Sequence, residues 1–477
     1  MRLKYDPGDG PTFWEQIAHI PGYPSGERMP IRLMCFEPGA LFKLGAVLRE
    51  VGADPTRPVF IVTDPTPMQR SGESLKPLVL DVLSNDGWQV QPVEVAPDEI
   101  GQVHTDMPRI EAVKSHLKHK SAVIALGSGT ICDITKHACY LYEQETGERL
   151  PFVVYQTANS VSAYTSNMAP TFVEGVKRTL PSRYPDALVC DLETLRDAPR
   201  EMTAAGVGDL LAAFVSFPDW VLANRLGLDP GYSPLAQELM GPLDKIFLVE
   251  APAIRSGSLD GMATLAKLIA LGGLAMSLSH ATTPMSGYEH VISHILDLLA
   301  ESHNRPLTQH GSQVALASIL GTAAYQHLLD ELEPEEINLE NCYPAPEQMH
   351  ALVRETFLEV DPSGKAGEEC WNDYRQKLEA WHAHKTENNS FLKNWKSFRG
   401  QLKDLTCPPE RLMTILRAVQ APETFGALQP PQSEGDVKFA FLTAPLMRKR
   451  FTLGDLLIFL LWDREKLWQQ IKGLAIS

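Results

Sequence analysis

The chain has 477 residues, enough for two or three domains around a large core. Hydrophobic residues make up 44% and charged residues 21%, an ordinary soluble-globular balance. Lys and Arg number 43 against 59 Asp and Glu, so the net charge is −16; this argues against a nucleic-acid partner and leaves any anionic substrate dependent on a local basic pocket.

In chain order, the first stretch, MRLKYDPGDGPTFWEQI, is polar and carries no apolar h-region. PVFIVTD (58–64) is a short apolar run ending in an acid. LKPLVLDVLSNDGW (75–88) has helical spacing and a Gly stop, and QVQPVEVA (89–96) alternates like a strand. IEAVKSHLKHK (110–120) predicts an amphipathic helix. SAVIALGSGT (121–130) is a β-run breaking into a glycine turn. ICDITKHACYLYE (131–143) reads as helix and PFVVYQT (151–157) as strand. This βαβαβ order implies a parallel sheet with helices packed on it.

From about residue 200 the pattern becomes helical and rich in Ala and Leu. MTAAGVGDLLAAFVSFPDWVLANRLG, GMATLAKLIALGGLAMSLSH and HGSQVALASILGTAAYQHLL carry it. Residues 360–405 are polar and helix-prone, expected as an exposed helical insert, and 421–436 as a loop. LLIFLLW (456–462) is far shorter than the roughly 20 residues that span a bilayer, and is expected as a buried helix. Seven scattered cysteines without a CxxC pair suit a reducing compartment. A cytoplasmic protein with no membrane partner is expected.

Two stretches carry chemistry. In AVIALGSGTICDITK a strand runs into Gly127, Ser128, Gly129 and Thr130 and then a helix. Glycines let backbone N–H groups approach a phosphate, and a helix N-terminus adds positive potential. An empty turn capped at Thr130 explains the same residues, and the G-x-G lacks the third glycine of the dinucleotide fingerprint. Asp64 ends the first strand, where a carboxylate can accept from an adenine ribose and repel a 2′-phosphate; a turn residue before Pro65 is the simpler alternative. In GYEHVISH, His290 and His294 share one helix face, Glu289 stands beside the first, and His310 begins a later helix. Asp209, expected to open another helix, completes with His290 and His310 an open three-ligand set for a divalent metal. For any single histidine, an isolated helix residue is the simpler reading.

ALGSGTICDITK, PFVVYQTANSVSAYTSNMAP, VKRTLPSRYPDALVCDLETL, GVGDLLAAFVSFPDW, MSGYEHVISHILD and TQHGSQVA come in one order, followed by MRKRFTLGDLL. Together they resemble the sn-glycerol-1-phosphate dehydrogenases, within the superfamily of iron-type alcohol dehydrogenases and 3-dehydroquinate synthases. The resemblance spans roughly 55–470, interrupted by 360–405. It implies an α/β dinucleotide-binding domain with a parallel sheet (1–195) and an all-α, dehydroquinate synthase-like C-terminal domain (196–477). It also implies a metal-dependent NAD(P)H oxidoreductase reducing a small phosphorylated ketone: dihydroxyacetone phosphate to sn-glycerol 1-phosphate, or a related substrate. NAD(H) or NADP(H), a divalent metal (Zn2+, Ni2+ or Fe2+) and a homodimer go with it.

Residue by residue, the resemblance gives Gly127, Ser128, Gly129 and Thr130 to the cofactor pyrophosphate, with Asp133 capping the turn. Thr157 and Ser160 line the nicotinamide side. Asp209, His290 and His310 are metal ligands, His294 a proton relay, and Lys177 a partner for the substrate phosphate. Three departures stand out. Ser162 and Ala163 replace a usual Asp-Gly that touches substrate hydroxyls, Ala212 and Ala213 stand where a Lys is usual, and Ser312 replaces a Glu. Fewer polar groups in the pocket point to an altered substrate. Two alternatives remain: a cyclase or lyase of the dehydroquinate synthase type, opposed by Asp209 and Ala212, and a non-catalytic family member, opposed by the three retained ligands.

Overall fold

The computed structural model of the chain describes residues 3–24, 30–173 and 176–476. It divides into two compact units, Met1–Leu210 with Glu238–His280, and Leu211–Gln237 with Ala281–Ser477. This partition differs from a linear boundary at 195/196: the helices Arg200–Leu210, Leu243–Ser256 and Leu259–Leu278 group with the sheet.

In the first unit the strands are β1 (Leu33–Glu37), β2 (Val59–Thr63), β3 (Gln69–Arg70), β4 (Glu73–Ser74), β5 (Val90–Glu94), β6 (Ala122–Gly127), β7 (Phe152–Gln156), β8 (Met168–Val173), β9 (Val176–Pro181) and β10 (Ala187–Asp191). Six form one parallel sheet in the order β1-β10-β7-β6-β2-β5; β3–β4 and β8–β9 are antiparallel pairs. Every residue of β2, β6, β7 and β10 is buried, which is why these strands read as unbroken apolar runs rather than alternating ones. β5 lies at the edge, where Pro92 interrupts no second ladder. The expected parallel sheet is present. Its strands β1 and β10 and the β8–β9 hairpin were not singled out in the sequence; β1 is a short, mostly half-buried edge strand.

Helix Gly129–Thr146 leaves β6 directly and ends on Gly147 at φ +71°, a left-handed cap that glycine adopts without strain. The helical segment around Asp209 forms two helices, Arg200–Leu210 and Ala213–Arg225. Asp209 therefore closes a helix instead of opening one, because the chain breaks its helical path at Leu211 and Ala212. Two apolar helical stretches, Arg200–Arg225 and Leu259–Leu278, are long enough to cross a membrane, but 94% and 78% of their most apolar windows are buried inside the protein.

The second unit is helical, with no strand among the described residues. Helices Tyr288–Ser302 and His310–Glu331 are almost wholly buried. Helix Leu453–Phe459 holds most of the apolar LLIFLLW run, whose Leu461 is exposed. The segment 360–405, expected as an exposed insert, is instead built into this unit as the helices Lys365–Ala383, Lys385–Lys393 and Trp395–Leu405. Ala366, Cys370, Tyr374, Leu378 and Trp381 form a buried stripe at helical spacing that the polar composition conceals. Trp381 stacks on Phe459 with centroids 4.7 Å apart and donates to Cys342 O. Lys377 is buried too, and its ammonium ion-pairs with Asp455 at 2.5 Å.

Candidate functional site

In the first unit the glycine turn sits where β6 meets its helix. Ser128 occupies the N-cap position without a side-chain capping bond, so the cap expected at Thr130 is not made there. A Cβ on Gly127 would lie 2.5 Å from Ile131 Cβ, and one on Gly129 2.4 Å from Val161 Cγ2. Both positions are too tight for a side chain, and the helix presents its first N–H groups beside them. A phosphate is the ligand such a turn suits. Thr157 lies next to it, with its N–H donating to Gly127 O at 3.2 Å. Ser160 is buried with its hydroxyl 3.2 Å from Tyr164 OH.

Asp133 does not take the expected cap position. Its Oδ1 accepts from Lys136 Nζ at 2.8 Å, because Lys136 is fully buried and needs a counter-charge. Burial raises the Asp133 carboxyl above the usual range, and the nearby charge of Lys136 pulls against that. Lys136 also donates to Ala163 O (2.9 Å) and Met168 O (2.8 Å), pinning the loop after β7. Nothing in the local sequence signals this role for Lys136, because its partners lie up to 32 residues away. Asp64 follows β2, and its Oδ1 accepts from Thr66 N at 3.0 Å, the turn geometry weighed from Pro65. Burial raises its carboxyl as well. Lys177 lies on β9, its Nζ 5.8 Å from the centroid of the Phe172 ring.

Asp209, the penultimate residue of its helix, is buried. Its Oδ2 accepts two bonds from one residue, Ser162 N at 2.9 Å and Ser162 Oγ at 2.8 Å.

In the second unit the three histidines converge. Ring centroids of His290 and His310 are 5.1 Å apart, of His294 and His310 5.8 Å, and of His290 and His294 6.2 Å. His290 Nδ1 meets Glu289 Oε1 at 2.8 Å, and His310 Nδ1 meets Ser293 Oγ at 3.1 Å. Ser293 Oγ in turn donates to Gln313 Oε1 at 2.7 Å. With Nδ1 of His290 and of His310 oriented by protein groups, Nε2 of these two rings is the nitrogen positioned to ligate, the arrangement that metal-binding histidines require. Glu289 also accepts from Gly287 N at 2.7 Å, which fixes its carboxylate at the helix start. His290 is buried and His310 partly so. These donors fit a divalent cation of the borderline-soft type. Ser293 and Gln313 were missed in the sequence. The only available signal was that Ser293 shares the face of the helix turned toward His310.

The iron-containing alcohol dehydrogenase family model matches residues 35–199. A glycerol-1-phosphate dehydrogenase [NAD(P)+] of Bacillus subtilis is 33% identical over 52% of this chain and 62% of its own length. The chain thus spans less than two thirds of the length of that relative. One from Pyrococcus abyssi is 32% identical over 57% of this chain and 71% of its own length. Among solved structures, a probable glycerol dehydrogenase from Sinorhizobium meliloti superposes with a TM-score of 0.54 at 15% identity, covering 93% of this chain and 98% of that one. At that identity the likeness is one of fold.

Proposed function

This chain belongs to the glycerol-1-phosphate dehydrogenase family of the iron-containing alcohol dehydrogenases, and on that premise we propose that it is a metal-dependent NAD(P)H oxidoreductase. Its substrate in this reading is a small phosphorylated ketone, dihydroxyacetone phosphate or a close relative. The observation that carries it is the convergence of His290, His294 and His310, with two Nδ1 atoms already engaged by Glu289 and Ser293.

In this reading Asp209, His290 and His310 hold the divalent ion. Gly127, Ser128, Gly129 and Thr130 hold the pyrophosphate, while Thr157 and Ser160 line the nicotinamide side. When bound, the metal supplies polarisation of a carbonyl oxygen and the nicotinamide supplies a hydride. The chain's own work is then positional and protonic. Glu289 and Ser293 keep the Nε2 atoms of His290 and His310 aimed together. An imidazole nitrogen of His294, one helical turn from His290, delivers a proton to the product oxygen. Lys177 neutralises the substrate phosphate. Asp64 favours NAD over NADP through charge repulsion. Ser162, Ala163, Ala212, Ala213 and Ser312 stand where the family resemblance leads one to expect other residues, and so favour a substrate with fewer hydroxyl contacts.

The test is to purify the chain, measure its metal content by mass spectrometry, and follow NADH and NADPH at 340 nm with dihydroxyacetone phosphate and a ketone panel. The reading expects bound metal and oxidation of reduced cofactor, both abolished in His290→Ala and His310→Ala with circular dichroism unchanged. Metal content unaffected by either substitution would reject the ligand assignment.

A further inference from the structure

We infer that Ser162 is a positioning residue for Asp209, a role the sequence resemblance assigns to nothing at this position. The inference rests on Asp209 being a metal ligand as proposed above. Residue 162 is where the resemblance places a carboxylate that reads substrate hydroxyls. Here the serine is 5% exposed, and its hydroxyl points at Asp209 Oδ2. Position 162 is thereby withdrawn from substrate recognition and turned to support of the metal site.

The need for such support follows from where Asp209 stands. It lies in the last turn of helix Arg200–Leu210, which has no basic residue in that turn. The C-terminal end of a helix carries partial negative charge and disfavours a carboxylate there. Two donors on one oxygen, at 2.9 and 2.8 Å, offset that and fix the torsion of the carboxylate. Fixing one oxygen fixes the direction of the other, which is what a ligand oxygen must have.

The serine is itself held from behind. A Cβ on Gly272 would lie 3.0 Å from Ser162 Oγ, and one on Gly273 2.8 Å from Ser162 O and 2.2 Å from Thr165 Oγ1. The helix Leu259–Leu278 therefore packs its glycine pair directly on this loop. Thr165 Oγ1 donates to Ala270 O at 2.7 Å, and Lys136 holds Ala163 O at 2.9 Å. Residues 162, 163 and 165 are each restrained by a different contact. A loop so clamped delivers its hydroxyl at a fixed point.

The experiment uses the full chain as wild type, Ser162→Ala and Ser162→Thr, with circular dichroism as a fold check. Zinc affinity is measured by competition with a chromophoric chelator, and the cobalt(II) form is examined by its visible absorption, which reports ligand geometry without turnover. Loss of a residue that orients a metal ligand typically weakens binding about 10–100-fold. Ser162→Ala should show a weakening in that range and a changed cobalt spectrum, and Ser162→Thr, which keeps the hydroxyl, should restore both. Equal zinc affinity and an unchanged cobalt spectrum in Ser162→Ala would overturn the positioning role while leaving the functional reading intact. Threonine as weak as alanine would overturn it in favour of packing alone. A wild-type chain that binds neither ion would overturn the functional reading and this inference with it.

Discussion

The burial of Lys377 makes a heavy demand on stability. Its ammonium ion-pairs with Asp455 Oδ1 at 2.5 Å and donates to Pro445 O at 2.6 Å and Arg450 O at 3.2 Å. The Lys and Asp side chains are 1% and 0% exposed, so neither charge has solvent to fall back on. Burial presses Lys377 towards its neutral amine and Asp455 towards its neutral acid, and each opposes the other's shift. Lys377→Met keeps the stem's volume and removes the charge. The Asp455 carboxylate is then stranded, keeping the bonds from Thr452 N and Oγ1. Breaking one side of such a pair costs about 3–5 kcal/mol, a large part of the roughly 5–15 kcal/mol that holds a protein folded. The assay is urea unfolding followed by far-ultraviolet circular dichroism for wild type, Lys377→Met, Asp455→Asn and the double variant. The double variant should be more stable than Lys377→Met alone, with a coupling of about 0.5–3 kcal/mol. A Lys377→Met protein within about 0.5 kcal/mol of wild type, as a surface substitution behaves, would refute the buried-pair argument and return 360–405 to the exposed insert that its composition suggests.

Two further outcomes follow from buried groups. Gly129→Ala would place a methyl against Val161, an overpacking worth about 1–3 kcal/mol; NADH binding, read by fluorescence titration, should weaken, and unchanged affinity would dissociate the turn from the nucleotide. Asp219 is fully buried, and burial followed by the Glu289 charge raises its carboxyl to about 8. Its folded value lies above the unfolded 3.8, so its stabilising contribution is complete below about pH 4 and is lost as pH rises through about 8. The unfolding free energy of the wild type, read from urea curves, should fall across that window by at most about 1.4 kcal/mol per pH unit, while Asp219→Asn lacks this slope. Parallel curves for the two proteins would count against it.

What could be read from the sequence was what is local. The run SAVIALGSGT shows a strand, a turn and a helix start because their signals are contiguous and the strand is buried on both faces. His290 and His294 announce a shared face through spacing alone, and His310 begins its helix where expected. The pairing of Ser162 with Asp209 crosses 47 residues and leaves no periodic trace. The bond from Glu289 to His290 runs against the rule that adjacent helix residues face apart; it forms because Glu289 folds back onto Gly287 N at the first turn. The 360–405 segment misled through its average polarity: one buried residue in each turn suffices to dock a helix, and composition does not register which one.

These long-range contacts share a direction in the second unit. Asp219 accepts from Tyr288 N at 2.8 Å and from Leu453 N at 2.8 Å, so one buried carboxyl group holds the N-terminal turns of helices Tyr288–Ser302 and Leu453–Phe459. Tyr325 OH donates to the same carboxyl group from helix His310–Glu331. The helices bearing His290 and His310 are thus tied to one acceptor. Arg450, whose carbonyl Lys377 holds, donates its guanidinium to Ser286 O, Ser286 Oγ and Thr282 Oγ1 just ahead of helix Tyr288–Ser302. Buried charges are costly, and apolar residues of the same size would often be at least as stabilising. What they add is direction, since hydrogen bonds fix angles that apolar contacts leave loose. A site whose ligands must hold position within about 0.5 Å has a use for that, and in this unit the buried polar network runs to the helices whose histidines converge.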